Sequence, residues 1–256
     1  MSRRRLGQNF LESPVIVAEI ASSIPLSGKS VLEIGAGKGC LTVALAKEAK
    51  RVVALELDES LKPALERAVS GLKNVELVFK DARDFDFKGF DVVFGNIPYY
   101  IASPLILKVV DSDCPQAALL LQEELALRLA AEPGSSGFSR LSVACQCKYD
   151  CRVPLFVPRS CFSPQPRVDS ALVVFKLKPE RGHLALDDVL VRALFQHKNQ
   201  TVRNALKHSV RELGLGKAEL DAFAKSLGEM AEERVRCLYL EEFAKASKAF
   251  AALRQR

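Results

Sequence analysis

No stretch of this 256-residue chain stays apolar for the ~18 residues that a membrane-spanning helix requires, so no such span is expected. The basic start, Met1 to Arg5, is followed by no apolar signal core, because polar Gln8 and Asn9 and acidic Glu12 intervene. Neither a secretory signal nor a long transit peptide is expected, and a cytoplasmic location is. Cysteine lacks the pattern of a secreted scaffold: the seven thiols are an odd number, and Cys145, Cys147 and Cys151 cluster as C-x-C-x₃-C with no fourth ligand nearby. Buried thiols in a reducing compartment are expected, and no metal site. Internal repeats and low-complexity tracts are also missing. What remains is an ordinary globular composition, 48% hydrophobic and 27% charged, with length for one large domain and a small second one.

Acidic residues are missing from one further place. The chain carries 37 basic against 31 acidic residues, a net +6 that points mildly to a polyanionic partner. Between Val189 and Arg211 no acid occurs, while Arg192, Lys198, Arg203, Lys207 and Arg211 all fall there. The last three are spaced by four, which predicts one helical face. A solvated face normally mixes both signs, so this stripe predicts contact with phosphates.

Three strand ends carry the chemistry. Val31 to Ile34 reads as a short strand, and Leu41 to Ala46 resumes with helical spacing, so Gly35, Gly37 and Gly39 occupy a strand-to-helix turn where backbone approaches a ligand closely. The dinucleotide fingerprint needs glycine where Cys40 stands. The GxGxG form suits S-adenosylmethionine, which has no pyrophosphate to seat. A second strand, Arg51 to Glu56, ends in an acid about 20 residues past the glycines, where a ribose partner belongs. Glu56 and Asp58 compete for that role, with Asp58 the better cap for a helix beginning near Glu59. A third strand, Val75 to Phe79, leads to Asp81, which can accept from an adenine amine. A fourth, Phe90 to Phe94, runs into Asn96-Ile97-Pro98-Tyr99. That turn offers an amide oxygen, a carbonyl aimed by proline's fixed φ and a flat ring, a set able to hold a planar amine. Cys114-Pro115 looks like the nucleophile of cytosine-carbon methyltransferases, but it precedes a strand instead of following one.

The alternation of strands near Val31, Val52, Val75, Val92 and Ala118 with helical patterns predicts a doubly wound, mainly parallel sheet. Ser13-Pro14 is read as cap and first residue of a helix. A helix over Glu124–Ala131 precedes Glu132 to Gly137, read as a flexible loop near the ligand rim. Strands around Val153–Val157 and Ala171–Leu177 without a helix between them predict an antiparallel edge. From Lys178 the pattern is helical, with weak boundaries near Gly182, Gly214 to Gly216 and Gly228. The expected architecture is an α/β, Rossmann-like methyltransferase sheet over 1–177 and a small helical, RNA-binding domain over 178–256.

The chain resembles the KsgA-type small-subunit rRNA adenine dimethyltransferases of archaeal and eukaryotic style over nearly its whole length. The matching segments are Leu6–Leu11, Glu33–Gly39, Glu56–Asp58, Asp81-Ala82, Asn96–Tyr99 and Phe162–Ser170. The resemblance implies that Asn9 and the Leu11 backbone close over S-adenosylmethionine, that Gly35, with Gly37 in the same turn, lines its methionine end, and that Glu56 and Asp81 hold its ribose and adenine. It implies that Asn96 lies between donor and target amine, with the Pro98 carbonyl as second acceptor, and that Tyr99 and Phe162 sandwich the base. Where many relatives have a tyrosine before Arg140, this chain has Phe138. The expected substrate is a pair of adjacent adenosines near the 3′ end of small-subunit rRNA, modified during ribosome biogenesis. The expected partner is the small subunit, bound by a monomer whose Arg203, Lys207 and Arg211 meet rRNA. Erm-type large-subunit enzymes share these motifs, but Phe162–Ser170 and Arg203–Leu206 look more like the small-subunit enzymes. A nucleic-acid-binding factor that lost activity and a nicotinamide oxidoreductase are the other readings; intact motifs oppose the first and Cys40 the second.

Overall fold

The computed structural model describes residues 8–179 and 184–254. Met1 to Arg5, the Leu6 and Gly7 of the first motif, and Gly182 lie outside the described residues. Two compact units form: the described residues up to Leu127 with Tyr149–Leu177, and Arg128–Lys148 with those from Lys178 onward.

The first unit alternates strand and helix. Its elements are β1 (Phe10–Leu11), α1 (Pro14–Ser22), β2 (Ser30–Ile34), α2 (Cys40–Ala46), β3 (Arg51–Glu56), α3 (Lys62–Ala68), β4 (Val75–Phe79), β5 (Val92–Asn96), α4 (Ala102–Asp111) and β6 (Gln116–Gln122). After α5 (Glu123–Leu129) and α6 (Arg140–Gln146), the chain returns as β7 (Tyr149–Val157), β8 (Phe162–Ser163) and β9 (Ser170–Leu177). The predicted cap of α1 forms, with the Ser13 hydroxyl accepting from the Ile16 N–H at 3.5 Å and Pro14 inside the first turn. The sheet order is β4-β3-β2-β5-β6-β9-β7, parallel from β4 to β6 and antiparallel at β9 and β7. The expected antiparallel edge is therefore present. The inner strands β2, β3, β5 and β6 are nearly all buried, as parallel strands covered on both faces must be. The outermost strand, β7, alternates in burial and shifts register between Arg152 and Leu155, where Pro154 cannot donate to a ladder.

Because β3 lies on one side of β2 and β5 on the other, the chain reverses direction across the sheet at the β2–β5 pair. The crevice beyond the carboxyl ends of these strands is where such sheets bind ligands. Gly95 keeps the pair tight: a Cβ there would meet Ile97 Cδ1 at 2.7 Å and the Ile34 carbonyl at 3.0 Å. Gly95→Ala is expected to lower stability by about 1–3 kcal/mol through overpacking. Urea unfolding measures this, and an unchanged midpoint would refute the tight fit.

The second unit has its own apolar core. Its helices are α6, α7 (Asp188–Gln196), α8 (Val202–His208), α9 (Val210–Leu213), α10 (Lys217–Ser226) and α11 (Leu240–Arg254). Gly214, left-handed at φ 66°, ends α9, in keeping with the predicted boundary there. Two expectations need correction. The boundary at 177/178 misses that Arg128–Lys148 packs with the C-terminal helices. Nor is Glu132–Gly137 a free loop, since Gly134 N–H donates to the Arg236 carbonyl at 2.7 Å and Lys198 Nζ to that of Ser136 at 3.0 Å. Phe138 is fully buried, tilted against Phe195 and Phe243, so it is a core residue and not a contact residue. The helix α6 behind it, fixed by a Ser139/Ser142 capping box, had no long apolar period to announce it.

Candidate active site

A cleft at the switch point holds about 820 Å³ of empty space, its open mouth included. That is the scale of a site for a nucleoside-sized ligand. Its walls bring together Asn9, Gly35, Gly37, Glu56, Asp81, Asn96, Pro98 and Tyr99 from segments up to 90 residues apart.

The glycine loop is shaped by its backbone. Gly35, Gly37 and Gly39 have φ of 77°, 57° and 88°, which L side chains rarely adopt. A Cβ on Gly35 would lie 3.3 Å from the Asn96 carbonyl, and one on Gly37 3.1 Å from the Phe10 ring. The N–H groups of Gly35 and Ala36 both donate to the Leu55 carbonyl at 2.9 Å, tying the loop to the end of β3.

Glu56 closes β3 and is 7% exposed. Its Oε2 accepts from Gly37 N–H at 2.8 Å, and its Oε1 from Leu57 and Asp58 N–H at 2.9 and 2.8 Å. Three donors thus hold one carboxylate against the cleft. Asp58 does something else: it accepts from Ser60 N–H at 3.0 Å as a cap and from Gln8 Nε2 at 3.0 Å. Of the two competing acids, geometry puts Glu56 on the wall. Asp81 is there as well, but both of its oxygens are engaged by Arg83, whose Nη2 lies at 2.6 Å. The Arg83 guanidinium holds the Asp81 carboxyl below the usual carboxylate range.

At the end of β5, Asn96 Nδ2 donates to the Asn9 carbonyl at 3.0 Å. This bond orients the amide and leaves its oxygen as an acceptor. Proline fixes Pro98 at φ −57°, and its carbonyl accepts from Ile101 N–H at 3.1 Å, with a second lone pair to offer. The Tyr99 hydroxyl lies 3.1 Å from Ser170 Oγ, which pins the ring at the cleft. Leu11 pairs with Phe162 across the two-stranded β1–β8 sheet and lines the space behind the glycine loop. Phe162 is not brought to the cleft wall. It is 5% exposed and packed within the apolar cluster of the first unit.

Sequence reading left out Phe10, Lys80 and Tyr100, all on the cleft wall, and Glu33 just behind it. Tyr100 is 57% exposed, and adjacency to Tyr99 was the only signal that could have marked it. Cys114, by contrast, is a structural thiol. Burial pushes it up to about 11, and it donates to the carbonyls of Phe90 and Gln116 at 3.3 and 3.2 Å.

The basic stripe is not continuous. Helix α8 stops at His208, and Ser209, at φ −105° and ψ 18°, breaks it before α9 carries Arg211. Nor is the surface free of acid. Arg203 Nε donates to Glu232 at 2.7 Å, and Arg192 pairs with Glu212 at 2.8 Å. Glu212 sits one residue past the Val189–Arg211 window, in the same helix as Arg211, whereas Glu232 is brought to Arg203 only by the tertiary fold. Lys207 and Arg211 are exposed.

These residues fit S-adenosylmethionine: a cradle that any Cβ would fill, an anchored acid at the end of the second strand, and a further acid at the end of the third. Residues 1–243 match the family of ribosomal RNA adenine dimethylases. A Thermococcus gammatolerans protein named probable ribosomal RNA small subunit methyltransferase A is 41% identical over 240 residues, covering 93% of this chain and 86% of that one. The crystal structure of a dimethyladenosine transferase from Plasmodium falciparum superposes with a TM-score of 0.83 at 29% identity, over 95% of this chain and 98% of that one. The 23S rRNA methyltransferase ErmE superposes with a TM-score of 0.71 at 25% identity, over 95% of this chain and all of that one. With the cleft at the switch point and a match over nearly its full length, this chain belongs to the ribosomal RNA adenine dimethylases, enzymes that draw methyl groups from S-adenosylmethionine.

Proposed function

We propose that the protein dimethylates the exocyclic amines of two adjacent adenosines near the 3′ end of small-subunit rRNA during ribosome biogenesis, acting in the cytoplasm as a monomer on the small subunit. The observation that carries this reading is the Asn96 amide, held by Asn9 at 3.0 Å beside Pro98 and Tyr99 in the cleft that also contains Glu56. The names of the archaeal relatives support the small subunit as target.

An adenine amine is a poor nucleophile because its lone pair is delocalised into the ring. Acceptance of its hydrogens by Asn96 Oδ1 and the Pro98 carbonyl favours a pyramidal nitrogen with its lone pair turned outward. Tyr99 stacks on one face of the flipped base. The other face is assigned to Phe162, whose ring must turn out of its cluster to reach it. S-adenosylmethionine, when bound, supplies a methyl group on an electrophilic sulfonium. Glu56 holds the ribose, Asp81 the adenine, and Asn9, Leu11, Gly35 and Gly37 the amino-acid end. Positioning then provides most of the acceleration, no strong base is needed, and the amine's proton passes to water. Incubation with methyl-labelled S-adenosylmethionine and isolated small subunits, followed by mapping of the labelled nucleosides, tests the proposal. Isolated large subunits are incubated in parallel, and label confined to their rRNA would overturn the proposal in favour of an Erm-type target. Failure to bind S-adenosylmethionine at all would point to a factor that kept only the fold.

We assign rRNA phosphate contact to Arg203, Lys207 and Arg211 of the second unit, supported by the exposure of the last two. The Arg203–Glu232 pair is solvent-accessible and so is cheap to exchange for a phosphate. Replacing all three by alanine should weaken subunit binding and flatten its salt dependence, each lost contact removing roughly 0.7–0.9 from the log–log slope. Affinity measured at several salt concentrations decides this. An unaltered slope would leave the residues as mere solvation of their helices.

A further inference from the structure

Of the three described aromatic rings on the cleft wall, Phe10 and Tyr99 are half-buried, whereas Tyr100 is more than half exposed. A ring in that position gains little from the folded core and has a flat face to offer to whatever enters the cleft. Its backbone is not loose. Tyr99–Ile101 is a 3₁₀ turn, closed by the bond from Ile101 N–H to the Pro98 carbonyl at 3.1 Å, and it runs directly into α4. Such a turn rotates by about 120° per residue, so the Tyr99 and Tyr100 side chains leave it in diverging directions. Their surroundings agree. The Tyr99 hydroxyl meets Ser170 of β9, whereas Tyr100 interacts electrostatically with Arg83, in the turn that follows β4.

Two rings that diverge from adjacent residues cannot both lie on one base. When an adenosine leaves its stack for the cleft, the nucleotide beside it loses a stacking partner at the same moment. We infer that Tyr100 is a further RNA-binding residue, whose ring stacks on the nucleotide next in the strand to the adenosine held by Tyr99. This rests on the proposed reading of Asn96–Tyr99 as the base site. The charges nearby suit a strand. Lys80 is exposed on the same wall and offers a cation to a phosphate, while Arg83 is compensated by Asp81 and Asp84. An aromatic face beside a cation is the usual hold on single-stranded nucleic acid. The donor's adenine is the other flat group within reach, but Leu57 and Ala82 line the cleft beside Asp81 and offer it apolar walls of its own. Every base has a π-face, so the platform serves whichever of two adjacent adenosines is outside the cleft while the other reacts.

Single-turnover transfer, with the full chain in excess over isolated small subunits and S-adenosylmethionine saturating, reads this contact as a half-saturating protein concentration. Tyr100→Ala should raise that concentration by roughly tenfold. The plateau rate should stay within about twofold, because the stack is made in the ground state and the transition state alike. Tyr100→Phe should behave as wild type, and Tyr100→Leu, apolar but not flat, should resemble Tyr100→Ala. Calorimetric titration with S-adenosylmethionine should give one affinity for all four proteins, which also shows that the variants are folded. A benzophenone side chain in place of Tyr100 should, on irradiation, attach to a nucleotide flanking a methylated adenosine. An unchanged half-saturation for Tyr100→Ala would overturn the inference, as would full activity of Tyr100→Leu or attachment elsewhere in the subunit. Weakened donor affinity with unchanged half-saturation would overturn it by placing the ring over the donor. Tyr99→Ala tests the underlying reading separately: its plateau rate should fall, and an unchanged plateau would remove the base site itself.

Discussion

Asn96→Ala will lose most methyl transfer while keeping its grip on the small subunit. In the proposed mechanism the side chain removed is an acceptor at the reacting amine, and its Nδ2 makes the bond to the Asn9 carbonyl at 3.0 Å that ties the first segment to the end of β5. Neither contact involves the helical unit to which subunit binding is assigned. Losing an interaction made mainly in the transition state lowers the chemical step more than the binding steps. Single-turnover transfer to small subunits should fall by well over tenfold, a barrier increase above ~1.4 kcal/mol. Subunit affinity should stay within about twofold, a change of roughly 0.4 kcal/mol. A variant keeping more than a tenth of the wild-type rate would remove Asn96 from the mechanism. If the rate fell only in step with S-adenosylmethionine affinity, the residue would be a donor clamp and nothing more.

Glu56→Ala is expected to act at the other end of the cleft, on donor binding. The carboxylate gathers three backbone N–H groups from Gly37, Leu57 and Asp58, and of Glu56 and Asp58 it is the one that lines the cleft. Its removal deletes the charge-assisted contact to the ribose that the proposed function assigns to it and frees the glycine turn that it braces. Binding should weaken by about 1.5–3 kcal/mol. Asp58→Ala should weaken it far less, because Asp58 caps the turn at Ser60 and reaches the cleft only through Gln8, without lining the wall itself. Titration calorimetry on both variants separates them. Equal losses would mean that the Gln8–Asp58 contact, not Glu56, organises the ribose end.

Much of this protein was legible as a string. The apolar runs of β2, β3, β5 and β6 are long enough to be buried on both faces, and each is followed by glycine, acid or proline where a strand must stop. Local steric and capping rules suffice for that, so the doubly wound sheet, its antiparallel edge, the Ser13 cap and the Asp58 cap could all be anticipated. The order and spacing of the motifs likewise pointed to the family.

What the string could not settle depends on which distant groups meet. The helical face drawn through Arg203, Lys207 and Arg211 assumed an unbroken helix and counted acids only along the chain, whereas Ser209 interrupts it and Glu232 arrives from another element. Phe162 carries a motif's chemistry in sequence, yet its pairing with Leu11 turns it into core. Phe138 and α6 belong with helices that begin some 50 residues later, a placement set by a shared apolar core and not by local period. Glu33 is the sharpest case. Sequence by itself determined that an acid precedes the glycines; only the packing of β2 between β3 and β5 decided that this acid is buried, with its Oε2 left without a hydrogen-bond partner among the described residues, because solvation and pairing are properties of neighbours in space.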